Sequence, residues 1–207
     1  MYVECGKLER VGAWAFRYCV GLGSINFPSA KIVERFALGN CPAMTQAIFG
    51  KDLESVEGRA LYHCTSLESI TIPLKNGLFT EDSIFKGCVN LKRVDLVEGD
   101  ALRDFTDALQ LESWRNEMIY VIDSINEVLH NTDPGGASYD DGGKVIAIRE
   151  WIGSVLRKVT HYKAAHRELL NEAAIALQSS IPNDAVINNI LPFIELPSQT
   201  AFDGEHE

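Results

Sequence analysis

The chain has 207 residues, 46% hydrophobic and 23% charged, which is globular composition and enough length for one large domain or two small ones. Wholesale disorder is excluded, and no uncharged apolar run approaches the roughly 18 residues that a membrane helix needs. The net charge of −10 is unevenly shared: residues 1–97 hold 11 Lys and Arg against 10 Asp and Glu, and residues 98–207 hold 8 against 19. An acidic half repels phosphate backbones and the neutral half has no basic stripe, so nucleic acid and anionic membranes are not expected partners.

At the N-terminus, Glu4, Lys7, Glu9 and Arg10 interrupt the unbroken apolar core that a signal peptide would need. Five cysteines, an odd number, argue against a secreted disulfide framework. A reducing, cytoplasmic setting is therefore expected. The cysteines stand at 5, 19, 41, 64 and 88, so the last three gaps are 22, 23 and 24 residues. Each carries the same frame: Phe16, Leu38, Leu61 and Phe85 three places before, and Leu8, Leu22, Met44, Leu67 and Leu91 three places after. Val11, Ile25, Ala47, Ile70 and Val94 follow six places after.

Apolar residues at alternate positions, as in Ile70-Thr71-Ile72, describe a strand with one buried face. Strands are predicted near 22–27, 45–49, 68–72 and 91–96, with Leu22, Ile25, Leu67, Ile70, Leu91 and Val94 inward. Pro28, Gly50 and Pro73 end them, and second apolar pairs follow at Ile32-Val33, Leu53 with Val56, and Leu78-Phe79. One such unit cannot bury its own apolar side, whereas a stack of them buries a continuous core. The expectation is a parallel-stranded solenoid of three to four complete coils over residues 5–97.

The stretches Cys64-Thr65-Ser66-Leu67-Glu68-Ser69-Ile70-Thr71-Ile72-Pro73 and Val11-Gly12-Ala13-Trp14-Ala15-Phe16-Arg17-Tyr18-Cys19 resemble the BspA-like type of leucine-rich repeat. The resemblance implies a curved stack of short strands that serves as a binding surface, with neither enzymatic activity nor a cofactor. Cys5 and Cys19 are only 14 apart, which leaves no room between them for a complete strand and turn. The first repeat is therefore expected to be incomplete, as in a chain that begins part-way through a longer array or a shortened gene. The alternative is that Met1–Trp14 folds over the end as an irregular cap. An uncapped end would leave residues 8–27 poorly covered and favour self-association.

From Asp107 the period changes. Leu111, Trp114, Met118, Val121, Ile125 and Val128 mark the seam of an amphipathic helix ending near Leu129–His130. Ile148, Ile152, Val155, Val159, Tyr162, His166, Leu169, Ala173 and Leu177 mark a longer one of roughly 35 residues, about 50 Å. A short polar loop between them favours an antiparallel helical hairpin. Asp184 caps a short third segment, and residues 198–207 are expected to be disordered. The segments Trp114–Met118, Ile148–Ile152, His161–His166 and Asn189–Phe193 resemble a helical C-terminal region that follows such repeats in algal, diatom-type proteins. The domain reading is a solenoid at 1–97, N-terminally incomplete, a helical region at 98–197 and a tail at 198–207. The fold class is α/β, a short leucine-rich-repeat solenoid followed by a helical hairpin.

Zinc sites want cysteines two to four residues apart, whereas gaps of 22 to 24 set Cys19, Cys41, Cys64 and Cys88 in a line, one per coil. They read as a buried structural ladder. His161 and His166 are five apart and do not share a helix face as an i, i+4 pair does. His63 beside Cys64 lacks an orienting third group, and Asp133, Asp140 and Asp141 fit no calcium loop. No catalytic, metal or cofactor site is predicted. Trp114, Trp151 and Tyr162 are candidate interaction or core anchors. The function expected is a non-catalytic module for an unidentified protein partner. The alternatives are a shortened remnant of a longer repeat protein and an enzyme of unrecognised type.

Overall fold

The repeating apolar slots stack as predicted in the computed structural model, which describes residues 1–97, 101–109, 111–131 and 142–178. Among the described residues eight strands run in chain order: β1 Tyr2–Glu4, β2 Arg10–Val11, β3 Ser24–Phe27, β4 Ile32–Val33, β5 Gln46–Phe49, β6 Ser55–Val56, β7 Ser69–Ile72 and β8 Arg93–Leu96. They form two parallel sheets, one ordered β1-β3-β5-β7-β8 and the other β2-β4-β6. A Val56–Phe79 bridge carries the second sheet into the next coil.

Register makes the core. Val3, Ile25, Ala47, Ile70 and Val94 sit opposite one another through five coils, and Phe27 faces Phe49 in the row beside them. All but the half-buried Val3 are essentially closed to solvent, as are Leu22, Leu67 and Leu91. The turn that closes each coil is also bonded to the next, through Phe16 N to Ala37 O, Leu38 N to Ala60 O and Leu61 N to Ile84 O. The coils lie so close that a Cβ on Gly50 would fall 1.8 Å from the carbonyl oxygen of Pro28. Only glycine fits there.

The first coil corrects the reading of Cys5. Strand β1 pairs in parallel with β3, Tyr2 opposite Ser24, and β2 pairs with β4. Tyr2–Glu4 lies 15 to 17 residues before Cys19, as Ser24–Asn26 does before Cys41, so the strand and turn are present. Cys5 occupies the place of Phe27 at a strand end and is no member of the ladder. Its amide donates to Asn26 O. Met1–Trp14 is therefore a regular coil rather than an irregular cap. Nor are residues 8–27 bare: Val11, Leu22, Ile25 and Phe27 are buried, although Leu8 and Phe16 are only half-buried.

Three helices follow: α1 Ala101–Ala108, α2 Glu112–Asn131 and α3 Gly142–Gln178. The spacing from Asp107 onward misses α1, which packs on α2 and buries Leu102 and Phe105 in the common core. Helices α2 and α3 pack with opposite senses, since Trp114 stacks on Tyr162 while, further along α2, Val121 accepts a bond from Trp151. The α3 seam is buried from Ile148 to His166, but Leu169 and Ala173 are exposed, and so is Leu111 before α2. These three lie beyond the stretch over which the two helices face each other. The predicted loop aspartates Asp133, Asp140 and Asp141, the segment after Asp184 and the tail 198–207 fall outside the described residues.

Three polar anchors fasten the helices to the end of the stack. Strand β8 has no strand beyond it, and Asn126 Oδ1 of α2 accepts the Val94 amide at 3.2 Å. The buried ammonium of Lys144 donates to the carbonyls of Cys88 at 2.9 Å, Val89 at 3.3 Å and Leu91 at 2.9 Å. Arg149 pairs with Asp82 and donates to Phe79 O at 2.7 Å. Backbone groups that an open edge would expose are thus satisfied by side chains.

Candidate functional site

The cysteine ladder is bonded as well as packed. The thiols of Cys41, Cys64 and Cys88 donate to the carbonyls of Phe16, Leu38 and Leu61 in the preceding coil, at 3.1, 3.2 and 3.0 Å. Each acceptor lies three residues before that coil's own cysteine. The bond with Cys64 and burial push the Cys41 thiol far above its ordinary range. For Cys64 the contact with Cys41 pulls downward, but the bond to Cys88 and burial outweigh it and raise the thiol. Thiols held protonated are poor nucleophiles and poor metal ligands. His63 stacks 4.2 Å from Tyr62, while the Cys64 thiol turns to Leu38 O. In native protein a thiol reagent is expected to reach the half-buried Cys5 and Cys19 and to spare Cys41, Cys64 and Cys88 until denaturant is added. Mass spectrometry of the labelled peptides reads the pattern, and rapid native labelling of Cys64 would refute the ladder's burial.

The other predicted residues are core. Tyr162 is buried, and so is Trp151, with its indole bonded to Val121 O at 2.9 Å; Trp114 is half-buried, 5.1 Å from Tyr162. Glu117 ties Tyr162 to Lys158, which draws the carboxyl below its usual range, chiefly through Lys158. Burial, then the bond to Glu117, pushes the Tyr162 phenol up to about 12. His166 is buried on the seam and His161 is exposed. Among the described residues no three His, Cys, Asp or Glu side chains group to hold a metal. A cleft of about 290 Å³ lined by Glu68, Ser69, Asn90, Lys92 and Arg93 contains no thiol or imidazole.

The residues that sequence reasoning passed over lie at the turn corner of the first three coils. Each corner uses two left-handed residues, Trp14 and Tyr18, then Phe36 and Asn40, then Arg59 and His63, all with φ between 55° and 67°. Asn40, and Gly87 two coils later, suit that conformation; a bulky side chain there costs about 1–2 kcal/mol. Trp14 is nevertheless 50% exposed and Tyr18 61%. The rings and guanidiniums interleave. Trp14 stacks on Phe36 at 4.6 Å, and Phe36 meets Tyr62 edge-on at 5.9 Å. The Arg17 guanidinium lies 4.2 Å from the Trp14 ring, 4.6 Å from Tyr18 and 4.9 Å from Phe36. Arg35 and Arg59 approach Phe36 at 5.7 and 5.6 Å.

Two of the neighbouring carboxylates hold backbone amides. Glu34 holds Arg10 and the Ala13 amide, and those bonds lower its carboxyl below the ordinary range. Glu57 accepts the Arg35 amide at 3.1 Å, and the Glu81 carboxylate fills the place that a Gly58 Cβ would take. Among the described residues no carboxylate pairs with the guanidiniums of Arg17, Arg35 or Arg59, whereas Arg10, Lys31, Arg93, Arg149 and Lys158 all have one.

The geometry is that of a short parallel solenoid, closed at one end by helices, with an exposed aromatic and cationic corner at the other. Residues 5–104 match the family model described as BspA type leucine rich repeat region, in six copies. Two solved structures share similarity with the chain. One is a leucine rich cell surface protein from Faecalibacterium prausnitzii A2-165, at 17% identity and TM-score 0.34 over 46% of this chain and 31% of that one. The other is the leucine rich repeat protein of T. pallidum, at 16% identity and TM-score 0.29 over 45% of this chain and 68% of that one. The chain thus spans about a third of the length of the first. No curated protein matches. Among the described residues no helix is long and apolar enough to cross a membrane.

Proposed function

We propose that this chain is a non-catalytic protein-interaction module that binds through the corner face of its first three coils. The carrying observation is that face, where Trp14 and Tyr18, held in the left-handed conformation that each corner repeats, stand exposed around the Arg17 guanidinium. Trp, Tyr and Arg are the side chains on which interface energy concentrates: the rings bury large area at low conformational cost, and the guanidinium adds directed hydrogen bonds. The resemblance to algal helical regions read from the sequence carries no role, and we read the pair α2 and α3 as the element that closes the stack. For the enzyme reading, no titratable constellation to carry chemistry is found among the described residues. A shortened remnant remains the competitor that experiment must beat.

Affinity capture from a lysate of the source organism, followed by mass spectrometry, tests the proposal. A protein retained by the intact chain should be lost with the Trp14→Ala, Tyr18→Ala double variant and kept with Tyr120→Ala, an exposed control on α2. Circular dichroism verifies that the variants are folded. Identical capture by all three would remove the corner face from the proposal.

A further inference from the structure

Resting on that interaction reading, we propose that the corner face takes an acidic segment of the partner protein, whose carboxylates meet the edges of the Arg17, Arg35 and Arg59 guanidiniums. A guanidinium stacked on a ring keeps its edge for the fork that a carboxylate accepts in bidentate fashion; Arg17 Nε is buried, so its fork is the pair of Nη groups. Arg17 is held among three rings before any ligand arrives, so little further ordering is needed on binding. The three guanidiniums lack carboxylate partners among the described residues, while the acids beside them serve Arg10 or backbone, or pack against Gly58. The face thus sets Arg10, Arg17, Arg35 and Arg59 against Glu34, Glu57 and Glu81, one positive charge in excess on a chain of net charge −10.

Other ligand chemistries fit less well. The aromatic surround is already filled by Arg17, so it is not a cage for a cationic ligand. Rings and arginines together also suit unstacked bases, but the long-range field of this chain opposes a polyanionic backbone. A peptide with a few carboxylates set between apolar residues gains the local contacts and meets much less of that repulsion.

The test is fluorescence anisotropy with the full chain and a dye-labelled peptide that alternates Glu and Asp with Leu. Saturable binding is expected, weakened by added salt. The combined variant Arg17→Lys, Arg35→Gln, Arg59→Gln is expected to lower affinity at least about tenfold while circular dichroism stays unchanged. Arg35 and Arg59 are solvent-exposed, and Arg17→Lys keeps the charge but loses the fork. The proposal is overturned if the acidic peptide does not bind, or binds the variant equally well. It is equally overturned if a peptide with Lys in place of the acids binds as tightly. Tighter binding of a single-stranded oligonucleotide through the same arginines would also overturn it, in favour of nucleic acid. If the peptide fails while Trp14→Ala, Tyr18→Ala still abolishes capture of a protein, the interaction reading survives and only the acidic partner is lost.

Discussion

Replacing Lys144 by methionine is expected to lower global stability by about 3 kcal/mol or more and to loosen the helices from the last coil. Methionine keeps the apolar stem and removes the ammonium. The carbonyl of Leu91 then loses its charged donor in a buried contact, and that of Cys88, which also accepts the Leu91 amide, loses one of two. A hydrogen bond to a charged group contributes about 1.5–3 kcal/mol, so the loss of two buried ones leaves a large effect even after relaxation. Lys158→Met is the matched control. Its pair with Glu117 is about a third to a half exposed, and such pairs contribute under about 1 kcal/mol. Urea unfolding followed by tryptophan fluorescence compares the two. Equal midpoints would mean that Lys144 is not an anchor.

Trp151→Ala should cost about 3–5 kcal/mol, the usual range for deleting a buried aromatic when the surroundings collapse only partly. The side chain is 6% exposed, sits on the α2–α3 seam and donates to Val121 O. Trp151→Phe separates the terms: it retains most of the packing and loses the hydrogen bond, for about 1 kcal/mol beyond the volume lost. If Trp151→Ala unfolds at the wild-type midpoint, the tryptophan is no part of a buried seam and the packing of α3 on α2 needs revision.

The strands were readable because burial repeats. Ile25, Ala47, Ile70 and Val94 occupy one slot in successive coils, and a slot that excludes water accepts only apolar types. The same reasoning misplaced Cys5, since a cysteine at a strand end is chemically indistinguishable from one in the ladder. It missed α1, whose eight residues are too few to establish a helical period against the strand signal just before them. Lys144 was invisible for another reason: nothing near it in sequence reveals three carbonyls more than fifty residues upstream. The corner face escaped because its slot holds Trp14, Phe36 and Arg59, which share a backbone conformation but are aromatic in two coils and cationic in the third. A search for recurrent apolar types passes over such a position.

The placing of the helices makes the stack behave like a zipper pinned at one end. Each coil is bonded to its neighbours alone, and β1 has a partner strand on one side, whereas β8 is pinned by Asn126 and its coil by Lys144. Order in such a chain propagates from the pinned end, so amide exchange should quicken, coil by coil, toward Met1. The aromatic corner lies on those outermost coils. A ligand gripping Arg17 and Arg59 together would span coils one to three and act as the second pin. Its occupancy would then be readable as slowed exchange across β1, β3 and β5, and not only as a bound mass.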